Sequence, residues 1–188
     1  MENITVSKRD LAVKAKKLRG SGMVPCNIFG SSIPESISIQ MEEGAARRLI
    51  RKKREGSKLI LDVEGKNFPV QIKEKSLNIL TGEIIHINFQ ALVADEKINS
   101  VIHILLKNDE KFGGRLEKML MEIPYMSLPG DMIDTITLDV DEIKIGDVLK
   151  VKDIPELTSE KIELQVDMNE IVLRMNEKKQ QVQVETEE

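Results

Sequence analysis

Residues 59–73, LILDVEGKNFPVQIK, decide the fold class of this chain. Apolar and polar side chains alternate over residues 59–63 and again over 68–73, as they do in strands that are buried on one face. Residues 64–67 lie between these runs, contain a glycine and are suited to a turn. The pattern therefore predicts a β-hairpin and favours a mainly β protein around it.

A further strand is predicted at residues 84–89, IIHINF, after a turn at Thr81-Gly82. Successive side chains of a strand point to opposite faces of its sheet. His86 and Asn88 are therefore predicted on one face, and the other face is predicted to carry Ile85, Ile87 and Phe89.

The rest of the first half adds three predicted strands and one helix. The strands are predicted at residues 4–6, 23–30 and 37–41. The helix is predicted over 42–54, because acidic residues stand at its start and basic residues at its end, which complements the helix dipole. Residues 10–20 are rich in lysine and are predicted either as a short helix, stopped by the glycines that follow, or as a loop that becomes ordered on a partner.

The second half has the pattern of a small all-β domain. Turn signals such as Pro129-Gly130 separate short apolar runs at regular spacing. The predicted strands are 98–106, 120–125, 135–140, 148–151, 162–166 and 171–175. Residues 176–188 are polar and acidic and are predicted to form a disordered tail. The predicted domains are residues 1–93, residues 94–175 and this tail.

The two halves of the chain carry opposite charge. Residues 1–93 hold 16 Lys and Arg against 10 Asp and Glu, a net charge of +6. Residues 94–188 hold the remaining 12 against 22, a net charge of −10. The basic residues of the first half are concentrated in two clusters, at residues 14–19 and 47–54. A basic domain beside an acidic one indicates contact with a polyanion.

No set of residues predicts an enzyme. Cys26 is the only cysteine, which excludes an intrachain disulfide, and it is interpreted as a small apolar residue rather than a nucleophile. His86 and His103 are isolated in alternating strands and are interpreted as structural or hydrogen-bonding groups. The chain has no phosphate-binding glycine loop and no metal-binding motif. We therefore predict no catalytic residues, no cofactor, no metal and no small-molecule substrate.

The same sequence predicts a cytoplasmic protein. No apolar run approaches the ~20 residues that span a bilayer. The first residues lack the basic and then apolar order of a signal peptide. We therefore predict no membrane association.

The basic cluster at residues 14–19 is the stronger candidate for a binding site, because it precedes a glycine break rather than completing an amphipathic helix. The cluster at 47–54 is interpreted as the solvated face of a helix, with nucleic-acid binding as the alternative. Lysine and arginine gain affinity for nucleic acid by releasing phosphate counterions, and a strand that presents His86 and Asn88 could add contacts to sugars or base edges. RNA is favoured over DNA, because a sheet face fits the wide, shallow minor groove of an A-form helix.

Two segments of the first half carry a family resemblance. Residues 16–30, KKLRGSGMVPCNIFG, combine two basic residues, Leu-Arg, a glycine turn, an apolar residue with Pro, and a strand that ends in an aromatic residue with Gly. The second segment runs from VQIKE at 70–74 to TGEIIHINF at 81–89. Both resemble the large-subunit ribosomal protein twenty-five family, the 5S rRNA-binding proteins also described as general stress protein Ctc. Motifs of the second half resemble its two-domain form: Gly113-Gly114, Leu128-Pro129, Leu138-Asp139-Val140, Ile145-Gly146-Asp147 and Val151-Lys152-Asp153.

This resemblance implies both a fold and a function. The fold is an N-terminal β-barrel RNA-binding domain with a few helices, followed by a mostly β C-terminal domain. The function is a structural role in translation, through binding the loop E region of 5S rRNA in the central protuberance of the large ribosomal subunit. The implied partners are 5S rRNA, the large subunit and neighbouring ribosomal proteins. With Lys14 and Asn88 added from the charge and strand patterns, the predicted RNA-binding residues are Lys14, Lys16, Lys17, Arg19, Phe29, Lys73, His86 and Asn88.

The chain departs from the family pattern at several of these positions. Lys16 and Lys17 stand where Arg is usual, and lysine cannot make the planar bidentate contact of a guanidinium. Asn88 replaces the usual Asp, and Ser76 and Leu77 stand where Gln and Arg are typical. These departures motivate an alternative function, a stress-induced paralogue that acts as a protein-interaction module with weakened or lost RNA binding.

Overall fold

The computed structural model describes residues 3–111, 115–144 and 146–176, and its first six strands close into a β-barrel. Two helices lie between these strands, α1 (Ala15–Gly20) and α2 (Glu43–Lys52). The barrel strands are β1 (Asn3–Lys8), β2 (Met23–Phe29), β3 (Ile37–Glu42), β4 (Lys58–Val63), β5 (Lys66–Leu77) and β6 (Ile84–Ala91).

The predicted hairpin is β4 and β5, and it forms one wall of the barrel. Leu59 lies opposite Val70 in this antiparallel pair, and both side chains are fully buried. Around the barrel the strands follow the order β1-β3-β2-β6-β5-β4, and β1 closes the ring by pairing parallel to β4. Strands β2 and β6 are distant in sequence and become parallel neighbours. This pairing places the basic segment beside the strand of His86.

The predicted face assignment of β6 is confirmed for Ile87 and Phe89 but not for Ile85, near the start of the strand. Ile87 and Phe89 are fully buried in the barrel core. Ile85, predicted to share their face, is instead 36% exposed, and Ile84 is buried in its place. The pairing between β5 and β6 shifts register beside Leu77, and such an irregularity moves side chains to the opposite face.

Both helices pack on the outside of the barrel. Helix α1 forms where the sequence left a choice between helix and loop, and its Leu18 is 6% exposed. Helix α2 buries Ala46 and Leu49 and ends at Lys52, two residues before the predicted end. Leu18 and Leu49 therefore hold the two basic clusters against the barrel surface.

The second half is a separate β unit with its own core, as predicted. One sheet has the strand order β10-β7-β9-β12 and the other β11-β13-β8. The fully buried Tyr125 lies in the core between them. The strands are β7 (Ile98–Lys107), β8 (Arg115–Lys118), β9 (Glu122–Ser127), β10 (Thr135–Asp139), β11 (Val148–Lys150), β12 (Ile162–Leu164) and β13 (Ile171–Asn176). Short 3₁₀ helices occur at Asp109–Lys111, Pro129–Asp131, Val140–Glu142, Val151–Asp153 and Pro155–Thr158.

Several bounds in this half differ from the sequence prediction, and the strand predicted at 162–166 ends at Leu164. The strand predicted at 120–125 begins later, at Glu122, and the additional strand β8 precedes it. Asn176, predicted as the start of the tail, pairs with Arg115 at the end of β13. The rest of the predicted tail, residues 177–188, lies outside the described residues.

Candidate nucleic-acid interface

A row of polar side chains crosses the outer face of the barrel. The buried residues Cys26 and Ile28 point into the barrel, so the residue between them, Asn27, points outwards. Asn27 lies opposite Asn88 of β6, and Asn88 lies opposite Glu74 of β5. The barrel therefore carries three neighbouring hydrogen-bonding side chains on three adjacent strands.

His86 and Asn88 are joined to this row by hydrogen bonds. Asn88 Nδ2 donates to Glu74 Oε2 at 3.2 Å, and Asn88 Oδ1 lies 2.9 Å from His86 Nε2. Because Oδ1 can only accept, His86 carries its proton on Nε2 in this arrangement. A neutral His86 then leaves Nδ1 as an acceptor, which suits the hydroxyl donor of a ribose.

Helix α1 lies beside the start of β6. Arg19 Nη1 donates to the carbonyl oxygen of Ile85 at 3.4 Å, and Arg19 Nε lies 3.2 Å from Glu83 Oε1. Lys16 and Lys17 are exposed and form no ion pair or hydrogen bond through their side chains within the described residues. Helix α1 therefore carries two uncommitted ammonium groups in addition to the guanidinium that contacts the start of β6.

We define the α1–β6 surface as helix α1 with its capping residue and the outward side chains of β6, two elements that the contact of Arg19 with Ile85 joins; six of the eight predicted site residues lie on these elements. Its cations come from the helix and the residue that caps it, and its hydrogen-bonding side chains come from the strand. Its members are Lys14, Lys16, Lys17, Arg19, His86 and Asn88.

The two other predicted residues lie apart from the α1–β6 surface. Phe29 is 37% exposed and ends β2 opposite Gln90, two positions beyond Asn88 along the neighbouring strand. Lys73 sits at a register irregularity of β5, and its Nζ donates to the carbonyl oxygen of Asn99 at 3.1 Å. Lys73 therefore stands at the junction of the barrel with the second half of the chain.

Sequence reasoning missed two residues of this region and the tertiary contact of a third. Glu74 holds the Asn88 amide, Asn27 extends the polar row, and Arg47 reaches from α2 to donate to the carbonyl oxygen of Gly82 at 3.5 Å. The alternation of β2 marks Asn27 as an outward residue, since it stands between two apolar positions. The contacts of Glu74 and Arg47 depend on tertiary pairing, for which the local sequence carries no signal.

The remaining candidate groups have structural surroundings. Burial raises the pKa of the Cys26 thiol to about 12, so the thiol stays protonated and packs as an apolar group. Among the described residues, no group of three or more His, Cys, Asp and Glu side chains could hold a metal ion. In the same part of the chain, no helix is long and apolar enough to cross a membrane.

A β-barrel with a basic helix beside a polar sheet face, joined to a second β domain, has the features of a binding module for an anionic partner, but the fold alone does not define the function. Comparison with known proteins resolves the class. The pattern of the Ribosomal L25p family matches residues 4–89, and that of the ribosomal protein TL5 C-terminal domain matches residues 97–179.

Individual relatives match along most of the chain. A large ribosomal subunit protein bL25 of Thermoanaerobacter sp. (strain X514) is 30% identical over 179 residues, covering 92% of this chain and 88% of the relative. The bL25 protein of Carboxydothermus hydrogenoformans is 34% identical over 165 residues, covering 82% and 79%. That of Listeria monocytogenes serotype 4b is 25% identical over 158 residues, covering 81% and 76%.

The chain belongs to the bL25 family of large-ribosomal-subunit proteins, in its two-domain form. This membership confirms the resemblance and the mainly β fold that it implies. The family consists of structural, non-enzymatic proteins of the cytoplasmic ribosome, in agreement with the predicted class and location.

Proposed function

We propose that this protein binds 5S rRNA, at its loop E region, as part of the central protuberance of the large ribosomal subunit. The observation that carries the proposal is the contact of Arg19 with the backbone of Ile85, which holds the basic helix against the strand of His86 and Asn88. Cations and hydrogen-bonding groups thereby share one surface, as recognition of an RNA duplex requires.

The two parts of the α1–β6 surface have different roles in this proposal. Lys14, Lys16 and Lys17 neutralise phosphates, which supplies affinity without regard to sequence. His86 and Asn88 contact ribose hydroxyls and base edges of the minor groove, which supplies selectivity for the shape of the site. The exposed ring of Phe29 offers a stacking surface at the edge of this area, and Lys73 adds a cation near the domain junction.

The two domains have different contacts in this proposal. The basic barrel, residues 1–93, takes the RNA, and the acidic domain, residues 94–175, faces solvent or basic neighbouring ribosomal proteins because RNA repels it. Cross-linking within assembled subunits would test this division. Cross-links from the acidic strands mainly to rRNA would contradict it.

A salt titration of 5S rRNA binding tests the main proposal. Replacing Lys16 and Lys17 by Gln should reduce the slope of log K against log salt by about 1.4–1.8, since each lost phosphate contact lowers it by about 0.7–0.9. The control replaces two exposed lysines elsewhere, Lys66 and Lys152, by Gln and should leave the slope unchanged. A folded wild-type protein that does not bind 5S rRNA at low salt would reject the proposal.

The alternative, a protein-interaction module without an RNA site, is favoured by the carboxylates within the surface. Glu83 pairs with Arg19, and Glu74 accepts from Asn88, so two of the proposed RNA-binding groups already have protein partners. Sedimentation of tagged protein with large ribosomal subunits separates the two functions. Absence from the subunit fraction at low salt would support the interaction module, whereas co-migration would argue against it.

A further inference from the structure

The second basic cluster, residues 47–54, is divided by the structure into two parts. Arg47 is engaged by an ion pair with Glu43 of the same helix and by a hydrogen bond to the carbonyl oxygen of Gly82. Arg51 is exposed on the last turn of α2, and Arg54 is exposed just beyond the helix. The cluster is therefore more than a uniformly solvated helix face, and its end needs a separate explanation.

This end of the cluster lines a cleft between the barrel and the second domain. The cleft has a volume of about 350 Å³ and is open to solvent. One wall is the end of α2 with the chain that leads to β4, and the other consists of β7 and the start of β10. The lining residues are Arg51, Lys52, Lys53, Arg54, Ser57, Leu105, Asp134 and Thr135.

Close contacts between the two domains hold the walls of the cleft in place. A Cβ built on Gly56 would lie 2.6 Å from Ser100 Oγ and 2.8 Å from the carbonyl oxygen of Val101, so only glycine permits this approach. The buried His103 places Nε2 2.9 Å from the carbonyl oxygen of Glu55.

A third contact between the two domains comes from the first residue of β4. Lys58 Nζ donates to the carbonyl oxygen of Pro129 at 2.8 Å. Together with the contacts of Gly56 and His103, this bond fixes the cations relative to the opposite wall before any ligand binds, which reduces the entropy that binding would cost.

The groups in the cleft suit a ribonucleotide backbone better than an acidic peptide. Four basic side chains face one carboxylate, so the cleft attracts anions. Asp134 Oδ1 is buried and has no hydrogen-bond partner in the described part of the chain. The Asp134 carboxylate repels RNA phosphates and acidic peptide side chains alike, but RNA also carries ribose 2′-hydroxyls, which can donate a hydrogen bond to this carboxylate once the wall adjusts. Ser57 and Thr135 add hydroxyl groups at the same place.

We infer that the basic barrel wall of this interdomain cleft is a second RNA-binding site, which takes the sugar-phosphate backbone of 5S rRNA beyond the segment held by the α1–β6 surface, while the acidic domain outside the cleft stays turned away from the RNA. The inference rests on the proposed function. Helix α2 connects the two sites: Arg47 near its start reaches the Gly82 turn before β6, and Arg51 one turn later enters the cleft. Because an α-helix rises 1.5 Å per residue, Arg51 lies about 6 Å along the helix axis from Arg47, well within the reach of one RNA helix.

Neutralising the two exposed arginines of the cleft tests the inference. The variant Arg51→Gln/Arg54→Gln should reduce the slope of log K against log salt for 5S rRNA by about 1.4–1.8. In hydroxyl-radical footprinting it should lose protections that Lys16→Gln/Lys17→Gln retains. The control Lys66→Gln/Lys152→Gln should keep the wild-type slope and footprint. Glutamine is a good helix former, and circular dichroism at rising temperature checks that each variant is folded.

The outcomes separate the two proposals. A wild-type footprint and slope in Arg51→Gln/Arg54→Gln, with 5S rRNA still bound through the α1–β6 surface, would overturn the cleft site alone. Failure of the wild-type protein to bind 5S rRNA would remove the proposed function and this inference together. Binding of a polyglutamate peptide that is lost in Arg51→Gln/Arg54→Gln, with the RNA footprint unchanged, would assign the cleft to an acidic protein and also overturn the inference.

Discussion

Arg19 and Ile85 join the basic helix to the strand that carries the polar face. Arg19 Nη1 donates to the Ile85 carbonyl oxygen at 3.4 Å, although the two residues are 66 positions apart in the chain. The same guanidinium pairs with Glu83 at 3.2 Å, and its side chain is only 23% exposed. Arg19 therefore both orders α1 and contributes a cation to the α1–β6 surface.

Replacing Arg19 by Gln should weaken 5S rRNA binding about tenfold, or about 1.4 kcal/mol. The change removes one cation and releases the helix that presents Lys16 and Lys17. Filter binding at fixed salt measures the affinity, and amide hydrogen exchange of residues 15–20 reports the release of the helix.

The matched control for this prediction is Glu83→Gln, which removes the ion-pair partner and keeps the guanidinium. RNA affinity should stay the same or rise, because a carboxylate leaves the neighbourhood of the phosphates. An equal loss of affinity in both variants would mean that Arg19 contributes only through its pairing with Glu83.

The pair Asn88 and Glu74 provides a second test, on the residue that departs from the family pattern. Asn88→Asp would place a carboxylate directly opposite Glu74, where the amide now donates at 3.2 Å. Like charges directly opposite each other on neighbouring strands are destabilising, by roughly 0.2–1 kcal/mol. Urea unfolding should therefore show a lower free energy of unfolding for Asn88→Asp.

A double-mutant cycle identifies the cause of this loss. Adding Glu74→Gln should restore the stability, because the new amide can donate to the new carboxylate. Strictly additive effects of the two substitutions would show that the loss has a source other than the Glu74 carboxylate.

The elements of the barrel could be predicted from the sequence because apolar and polar side chains alternate along its strands. Residues 59–73 specify β4 and β5 through local alternation and a turn, and the outward direction of His86 and Asn88 follows from the buried Ile87 and Phe89. The resemblance of two short segments supplied the family, which periodicity alone does not.

The contacts that assemble the site could not be predicted in the same way. Helix α1 has only six residues, too few to be stable alone, and its sequence pattern left a loop equally open. The approach of Arg19 to Ile85 requires the parallel pairing of β2 with β6, and the exposure of Ile85 requires a register shift near Leu77. The cleft beside Arg54 depends on residues about 80 positions away, including Asp134. Each of these depends on tertiary pairing rather than on local sequence.

The Tyr125 hydroxyl makes two hydrogen bonds that should stabilise the second domain. Its hydroxyl donates to the carbonyl oxygen of Ile133 at 2.9 Å and accepts from the Ile133 N–H at 2.9 Å. Tyr125→Phe leaves both backbone groups without this partner, at a cost of about 1–3 kcal/mol for a buried unsatisfied group. Urea unfolding followed by circular dichroism measures this loss, and hydrogen exchange in β4 and β5 should remain unchanged because the barrel has a separate core.

The same residue predicts an alkaline limit of stability. Burial raises the pKa of the Tyr125 hydroxyl above its ordinary value of 10.0. The folded domain then binds its proton more tightly than the unfolded chain, so the stabilisation is complete below pH 10.0 and is lost as the pH rises through the folded pKa. The difference in free energy of unfolding between wild type and Tyr125→Phe should shrink above this pH, and a difference independent of pH up to alkaline denaturation would contradict the assignment.

Gly56 and Gly65 form a matched pair that isolates the domain contact. Their backbone φ angles are +82° and +84°, but a Cβ on Gly56 meets Ser100 and Val101 at under 3.0 Å, whereas a Cβ on Gly65 meets nothing within 4 Å. Gly65→Ala should cost about 1–2 kcal/mol, the strain of a left-handed conformation. Gly56→Ala should cost a further 1–3 kcal/mol or so, because overpacking must push the two domains apart.

The additional effect of Gly56→Ala should appear at the junction. Hydrogen exchange should rise in residues 55–58 and in the first half of β7, and small-angle scattering should show a larger radius of gyration, with neither change in Gly65→Ala. The Glu55 carbonyl would lose its bond to His103, which is 2.9 Å long in the intact junction. If Gly56→Ala loses no more stability than Gly65→Ala and its radius of gyration is unchanged, the junction accommodates the added methyl group by local adjustment. That outcome would show that the junction is not rigid.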